Sequence, residues 1–351
     1  MKTGQATFTE LMQELNERAN LRIDSVADAR TMRAEPIDGN LALFAAGNRF
    51  DMLPNAHEQL GSYLKIPKQY YDRMKAEKPE LLARNVNTWL SEKEENRLVR
   101  GMRDGNTIDG RAFLSDRYRP IDNFDVGMRV LEAFNNIPNA DSTWFQSLQV
   151  TENRLYIKVV FPHLEREVKV NDVVKSGICI SNSEIGRGGF NVQPLIYRLV
   201  CKNGLIVPDA GTKRRHIGSR LTQGITYERD TVIADNTAIM LEFRDTLNAA
   251  VNGSMFDEYT YRISQTIEGA TITKPIETSE TLAKEYGLSQ SERESFMANL
   301  MTDGDLSRWG ALNAVTKIAN TTEDYDRATE LESIGGRILS LDQSQWSRLV
   351  A

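Results

Sequence analysis

Residues 177–216 read GICISNSEIGRGGFNVQPLIYRLVCKNGLIVPDAGTKRRH, and this stretch decides the fold that we expect. Two apolar segments, at 178–181 and 190–200, flank a run of serine, asparagine and glycine. Small residues permit tight or left-handed backbone, so this pattern predicts a β-hairpin. A loop follows the second strand and carries Lys213, Arg214, Arg215 and His216. The stretch therefore combines a hairpin with concentrated positive charge.

Further strands are predicted ahead of this hairpin. Residues 154–161 alternate apolar and polar side chains, with Leu155, Ile157 and Val159 facing inward. The other predicted strands are 31–37, 40–46, 97–103, 110–115, 143–150 and 165–173.

Helical periodicity marks both ends of the chain. Residues 9–20 predict an amphipathic helix with Thr9 as its N-cap. Other predicted helices are 54–64, 68–74, 80–91, 124–135, 231–251, 279–286, 289–301, 309–320 and 322–339, the last broken at Gly335 and Gly336. Strands in the middle and helices at the ends predict an α+β fold. We expect a central, mostly antiparallel sheet with flanking helices and a helical C-terminal third.

A chain of 351 residues makes one large or two medium domains. We divide it into a helical and hairpin cap at 1–95, a central sheet with the basic hairpin and loop at 96–252, and an acidic helical region at 253–351. No low-complexity linker separates these regions, so we expect them to pack as one unit.

The composition is typical of a soluble protein, with 40% hydrophobic and 26% charged residues and a mean hydropathy of -0.45. No apolar run approaches the roughly 18 residues that a membrane span needs. The N-terminal residues are polar and lack the apolar centre of a secretion signal. These features predict a cytoplasmic protein without a membrane partner.

Cysteine and histidine are rare in the sequence. Cys179 and Cys201 lie in apolar strand segments, and a reducing compartment favours two buried thiols over a disulfide between neighbouring strands. The three histidines show no zinc-binding spacing. We therefore expect neither a metal site nor a cofactor.

The net charge of -6 is unevenly distributed along the chain. Residues 187–229 contain eight basic and two acidic side chains, whereas residues 230–351 contain ten basic and twenty acidic ones. A segregated positive segment inside a negative protein indicates a surface that faces a polyanion.

Three segments resemble an uncharacterised phage and plasmid protein family, known as a domain of unknown function with the number 932. They are RAFLSDRYRPIDN at 111–123, YRLVCKNGL at 197–205, and WGALNAVTKIANTTEDYDRATELESIGGRIL at 309–339. The likeness extends over roughly residues 40–345. It implies a protein from a mobile element or prophage and supplies no reaction.

Basic residues interleaved with aromatic ones on a sheet suit single-stranded nucleic acid, because cations neutralise phosphates while rings stack on bases. Together with the resemblance, this pattern predicts a single-stranded DNA-binding protein that acts in recombination, annealing or replication. We expect it to work as an oligomer and without catalysis. The candidate contact residues are Arg111, Arg117, Tyr118, Arg119, Arg187, Arg198, Lys202, Lys213, Arg214 and Arg215.

Two other functions stay open. Glu167 and Lys169 form an ExK triplet with Asp141 upstream, and metal-dependent nucleases use such carboxylates to hold Mg²⁺. A modulator of a host protein would need neither nucleic acid nor metal. The same triplet also suits an exposed strand edge that resists aggregation.

Several of these residues also have a structural interpretation. Arg117 and Arg119 can pair with Asp116 and Asp122. The glycines at 186–189 precede a strand, whereas a phosphate-binding loop precedes a helix, so they favour a hairpin turn. Three tryptophans are predicted to belong to the core, namely Trp144, Trp309 and Trp346.

Overall fold

The computed structural model describes residues 1, 4, 7–118, 121–137, 140–141, 144–208, 212–214 and 229–350. Its strands are β1 Arg22–Asp28, β2 Arg33–Ile37, β3 Asn40–Ala45, β4 Asn48–Met52, β5 Asn96–Asp104, β6 Thr107–Ser115, β7 Phe145–Val150, β8 Leu155–Lys169, β9 Asp172–Asn182, β10 Phe190–Arg198, β11 Asn203–Ile206 and β12 Thr212–Arg214.

The helices are α1 Phe8–Leu21, α2 Pro54–Tyr63, α3 Lys68–Glu77, α4 Pro79–Leu90, α5 Asn123–Asn135, α6 Arg229–Val251, α7 Ser254–Glu268, α8 Pro275–Tyr286, α9 Gln290–Asp303, α10 Arg308–Ile318, α11 Tyr325–Ser340 and α12 Gln343–Val350. The predicted α+β class and the helical C-terminal third are confirmed.

The strands form two sheets. The N-terminal sheet has the order β1-β5-β6-β4-β3-β2, in which β4 and β6 pair in parallel and the other neighbours are antiparallel. Strands β1 to β4 lie before residue 95 and strands β5 and β6 lie after it. The sheet therefore crosses the boundary between the predicted N-terminal cap and the predicted central region. Helices α2 to α4 complete its core, where Phe50, Leu60, Val86 and Val99 are fully buried.

The central sheet is antiparallel and has the order β11-β10-β9-β8-β7, with β12 pairing along β10. The predicted hairpin is present, since β9 and β10 pair from Asn191 opposite Ser181 to Arg198 opposite Val174. The separate strand predicted at 165–173 is wrong. Asn171 has a left-handed φ of 63° and reverses the chain, so residues 165–169 extend β8 and residue 172 begins β9.

Helices α1, α5 and α6 cover one face of the central sheet. Ile157 and Ile180 from the strands form a core there with Val130 of α5 and Phe243 of α6. The cap of α1 differs from the prediction. The Thr7 hydroxyl, and not that of Thr9, accepts from the Glu10 backbone N–H in a capping box.

The C-terminal helices pack against the central sheet and against one another. Trp309 and Trp346 are buried among them and Trp144 is buried under α5, which confirms their assignment to the core. The break predicted at Gly335 and Gly336 is wrong, because α11 continues to Ser340. A Cβ at position 336 would lie 1.8 Å from the Ile206 carbonyl oxygen, so this glycine lets the helix approach β11 closely.

An ion pair between Lys158 on β8 and Glu332 on α11 is completely buried. The Lys158 Nζ lies 2.7 Å from Glu332 Oε2 and 3.1 Å from Thr329 Oγ1, and both charged side chains are 0% exposed. Burial disfavours the charged lysine, yet the Glu332 carboxylate raises the Lys158 pKa above its ordinary value. The pair therefore stays charged and fastens α11 to the sheet.

We expect Lys158→Met to lower the free energy of unfolding by about 3–5 kcal/mol, because it leaves Glu332 buried without its counter-charge. Urea denaturation measures this loss. The double variant Lys158→Met/Glu332→Leu should recover most of it. As a control, Lys175→Met removes the partly exposed pair with Glu165 and should cost about 1 kcal/mol or less. Equal losses in the two single variants would contradict this account.

Candidate functional site

A cleft of about 560 Å³ lies between the central sheet and α11. This volume is within the roughly 300–1,000 Å³ typical of ligand sites. Its floor consists of side chains from neighbouring strands, namely Tyr156 on β8, Cys179 and Ser181 on β9, and Asn191 and Gln193 on β10. Most of these groups donate or accept hydrogen bonds, so the cleft suits a polar ligand.

Cys179 in the floor is not a reactive thiol. It lies opposite Lys158 in the β8–β9 register. Burial raises the pKa of its thiol to about 12, so the sulfur stays protonated at neutral pH and is a poor nucleophile. Both cysteines are unpaired as predicted, although Cys201 is partly exposed. The cleft is therefore better suited to binding than to covalent catalysis at this residue.

Acidic residues of α11 line the opposite wall, and protein donors engage them. The Asp324 carboxylate caps the helix by accepting from the Asp326 and Arg327 backbone N–H groups. Asp326 accepts from Thr151 Oγ1 at 3.0 Å and from Asn153 Nδ2 at 2.9 Å, which closes one end of the cleft. These hydrogen bonds from neutral donors fix the two carboxylates in place but leave their negative charge.

Arginines occupy the mouth of the cleft. The Arg154 guanidinium donates to the Arg187 carbonyl oxygen and has no carboxylate partner in the described part of the chain. Arg187 pairs with Glu58, but its side chain remains 38% exposed. Exposed Arg337 lies further along α11 and likewise forms no ion pair with the described residues. The mouth therefore offers cations that can bind an anion.

The glycine-rich turn, residues 183–189, forms one rim of the cleft and docks on the N-terminal sheet. Ile185 is buried there with Leu98 and Leu114. Its carbonyl oxygen accepts from Asn55 Nδ2 at 3.2 Å and Gln59 Nε2 at 2.7 Å. The turn connects antiparallel β9 and β10, so its interpretation as a hairpin turn is confirmed.

The structure brings Arg111, Tyr118 and Arg187 together around this turn. Arg111 is 12% exposed, lies 3.5 Å from the Glu184 carboxylate and donates to the Glu152 carbonyl oxygen. The Tyr118 hydroxyl donates to the Ser183 carbonyl oxygen and accepts from the Gly186 N–H, each at 3.2 Å. Arg111 and Tyr118 hold the turn in place, and Arg187 is the more exposed of the two arginines.

Arg117 is exposed on the chain that follows β6. Asp122 was considered above as a local partner for Arg117 or Arg119. In the structure, its carboxylate binds Arg22 and lies 2.9 Å from Arg100. Arg119 and Arg215 lie outside the described residues.

Arg198 and Lys202 lie at the opposite end of β10 from the turn. The Arg198 guanidinium is 2.7 Å from Asp172, and Lys202 is exposed between β10 and β11. Eight residues of extended strand separate Phe190 from Arg198, which is about 27 Å. One compact ligand cannot contact both ends of this strand.

Lys213 and Arg214 lie on the short strand β12, where the sequence had predicted a loop. Residue 213 is opposite Asn191 and residue 214 is opposite Phe190. The Asn191 side chain lines the cleft. This register brings two of the predicted basic positions to the same end of β10 as the turn and Arg187.

The ExK triplet lies at the far end of the β8–β9 hairpin. The Glu167 carboxylate accepts from the Asn171 N–H at 2.7 Å, and Lys169 Nζ lies 3.1 Å from Asp305. Over the described ranges, no group of three or more His, Cys, Asp or Glu residues could hold a metal ion. These contacts give the triplet a structural role at the hairpin end, and nuclease activity stays a prediction.

Sequence reasoning missed Arg154 and the polar side of α11. Arg154 stood at the start of a predicted strand with no neighbouring motif. On α11 the cleft is lined at helical spacing by Asp326, Thr329, Glu330, Ser333 and Arg337. A polar stripe at this spacing is a usable signal, although on a helix surface it usually indicates contact with solvent.

Comparison with known families matches residues 112–334 to "Domain of unknown function (DUF932)". The chain belongs to this family. No match was found among the curated proteins or among the solved structures. Apart from Arg337, the cleft of this DUF932 protein is lined by residues of the matched segment. None of its described helices is long and apolar enough to span a bilayer.

Beside the cleft, Arg327 donates to Glu292 on α9 at 2.7 Å, and this hydrogen bond lowers the Glu292 pKa to about 2. Because the folded-state pKa lies below its ordinary value of 4.5, the pair stabilises the fold above pH 4.5. That stabilisation is lost as pH falls towards 2.

We therefore expect Arg327→Gln to lower the free energy of unfolding at neutral pH. The difference from the wild type should narrow as pH falls from 4.5 towards 2. Urea denaturation across this pH range measures it, with Arg293→Gln, which removes the ion pair of α9 with Glu280 on α8, as the control. A difference that does not change with pH would show that the Glu292 charge is not responsible.

Proposed function

We propose that this DUF932 protein binds single-stranded nucleic acid, with the phosphate backbone at the mouth of the cleft. Its resemblance to a phage and plasmid protein family favours a role in recombination, annealing or replication. Binding needs no bond chemistry, which agrees with a floor whose cysteine is a protonated thiol.

The observation that carries this proposal is the meeting of Arg154 and Arg187 beside β12. The Arg154 guanidinium contacts the carbonyl group of Arg187, and both residues line the cleft. The backbone of residue 213 lies opposite Asn191 in the same part of the sheet. Cations concentrated at one cleft attract phosphates and release their counterions, which is the main source of affinity for nucleic acid.

The cleft floor adds polar groups that suit a nucleotide. Asn191 Nδ2 donates to the Gly189 carbonyl oxygen, but its Oδ1 has no hydrogen-bond partner in the described ranges. Ser181 and Gln193 lie beside it. A cleft bounded by a sheet and a helix admits a flexible single strand more readily than a rigid duplex, so we expect single strands to bind more tightly.

The test is fluorescence anisotropy of labelled single- and double-stranded oligonucleotides across a salt series. We expect Arg154→Ala/Arg187→Ala to weaken single-strand binding at low salt. The slope of log affinity against log salt should fall by about 1.4 if each arginine contacts one phosphate. Light scattering with and without oligonucleotide reports the oligomeric state.

The matched control is Arg73→Ala/Arg84→Ala on α3 and α4, which removes the same charge. The control also breaks one exposed ion pair, between Arg73 and Glu77. In the same way, the test variant breaks the ion pair between Arg187 and Glu58. Binding should survive in the control. Absence of binding by the wild type at low salt, or an equal loss in both variants, would contradict the proposal.

A further inference from the structure

A second groove, of about 420 Å³, lies on the N-terminal side of the glycine-rich turn. Helix α2, strands β5 and β6, and the turn form its walls. Its lining includes Asn55, Tyr63, Arg97, Phe113 and Arg187. Because Arg187 also lines the first cleft, the two concavities meet at this residue.

Arg97 is a cation in this groove that forms no close ion pair with the described residues, although the carboxylates of Glu95 and Asp116 act on it from a greater distance. Its guanidinium carbon lies 4.3 Å from the centre of the Tyr63 ring and 5.0 Å from that of Phe113. It forms no ion pair within the described ranges, and its Nε is buried without a hydrogen-bond partner. Aromatic rings orient a guanidinium but do not neutralise it, so the planar group is held ready for an anion.

The neighbouring arginines differ from Arg97 in this respect. Arg100 binds Asp24 and Asp122, and Arg111 binds Glu184. Partial burial lowers the pKa of Arg97, which shows that its charge is costly where it lies. Arg97 is thus a half-buried cation without a close ion pair beside two arginines that have one, which leaves its guanidinium able to bind an anionic ligand.

The groove contains a second unsatisfied polar group. Asn55 is 7% exposed, and its Nδ2 donates to the carbonyl oxygens of Arg111 and Ile185. Its Oδ1 has no hydrogen-bond partner among the residues that the structure describes. The Tyr63 hydroxyl is a third such group. Most buried polar atoms in native proteins are satisfied, so unsatisfied atoms on three residues of one groove are unusual.

Gly186 lies in the turn between the cleft and the groove, with a left-handed φ of 79°, and a Cβ at this position would come 2.8 Å from Leu114. Glycine therefore serves both the backbone conformation and the packing of the turn.

We infer that a bound single strand crosses the glycine-rich turn and that Arg97 binds one of its phosphates in the second groove. This inference rests on the proposed function and extends its site beyond the cleft. The ligand is a phosphodiester, which an arginine can hold with two parallel hydrogen bonds.

Anisotropy with two labelled oligonucleotides tests this inference. Single-strand binding folds contact about 4 to 16 nucleotides, so a strand of about 4 nucleotides fits the cleft alone and one of about 16 can reach both concavities. The variants are Arg97→Gln, Arg97→Lys, and Arg84→Gln on α4 as the control. Thermal unfolding of each variant checks that the fold is retained.

We expect Arg97→Gln to weaken binding of the long strand and to lower its salt slope by about 0.7, the contribution of one phosphate. Binding of the short strand should not change. Arg97→Lys keeps the charge and should keep most of the slope even if it unfolds more easily. The control should match the wild type with both strands.

Two results would overturn the inference. In the first, Arg97→Gln does not weaken binding of the long strand; if inorganic phosphate nevertheless raises the unfolding temperature of the wild type and not of Arg97→Gln, the groove binds free phosphate. In the second, Arg97→Gln weakens binding of both strands equally while the fold is retained. If neither strand binds the wild type, the proposed function itself has failed, and this is distinct from the first result.

Discussion

The charged contact between Lys158 and Glu332 is the interaction on which the site depends. Removing two charges from water is costly, and the opposite charge of the partner offsets most of that cost for each side chain. The contact therefore fixes α11 in one position and one register against the central sheet. Nearby, the Tyr325 hydroxyl bonds Ser147 on β7, so the start of the helix is held as well. With α11 fixed, the cleft exists before any ligand arrives.

A second constraint joins the two sheets. Arg100 on β5 is 2% exposed and its guanidinium reaches Asp24 on β1, Asp122 ahead of α5, and the Glu184 carbonyl oxygen of the turn. One side chain thus connects the N-terminal sheet, the start of a helix and the central hairpin. Such a network fixes the relative positions of these elements, because movement of any one of them breaks a hydrogen bond to the buried Arg100 charge.

Local features of this fold follow from the sequence, whereas its long-range contacts do not. The β9–β10 hairpin and most helices have clear periodic and turn signals. In contrast, β1 pairs with β5 across about 70 intervening residues, which no local pattern indicates. The alternation in 154–161 marks Leu155, Ile157 and Val159 as inward but suggests that Lys158 faces solvent. It is buried because α11 covers the second face of the sheet.

The candidate site shows the same division. Charge counting along 187–229 drew attention to the region around the turn, and the structure brings Arg187 and β12 together there. The same counting included Arg198, which lies at the other end of β10 and binds Asp172. Arg97 and Arg154 had no sequence signal, since each depends on which side chains do or do not lie near it in space.

Anchoring of the turn also bears on how the chain can vary in length. Surface connections usually accept insertions because their backbone contacts little else. Residues 183–189 are attached on both sides, through Ile185 and through the Ser183 hydroxyl, which donates to the Asn153 carbonyl oxygen. An added residue there would detach one side. In the β5–β6 turn, a Cβ at Gly105 would meet no other atom within 4 Å. We therefore expect this turn to accept an inserted segment more readily.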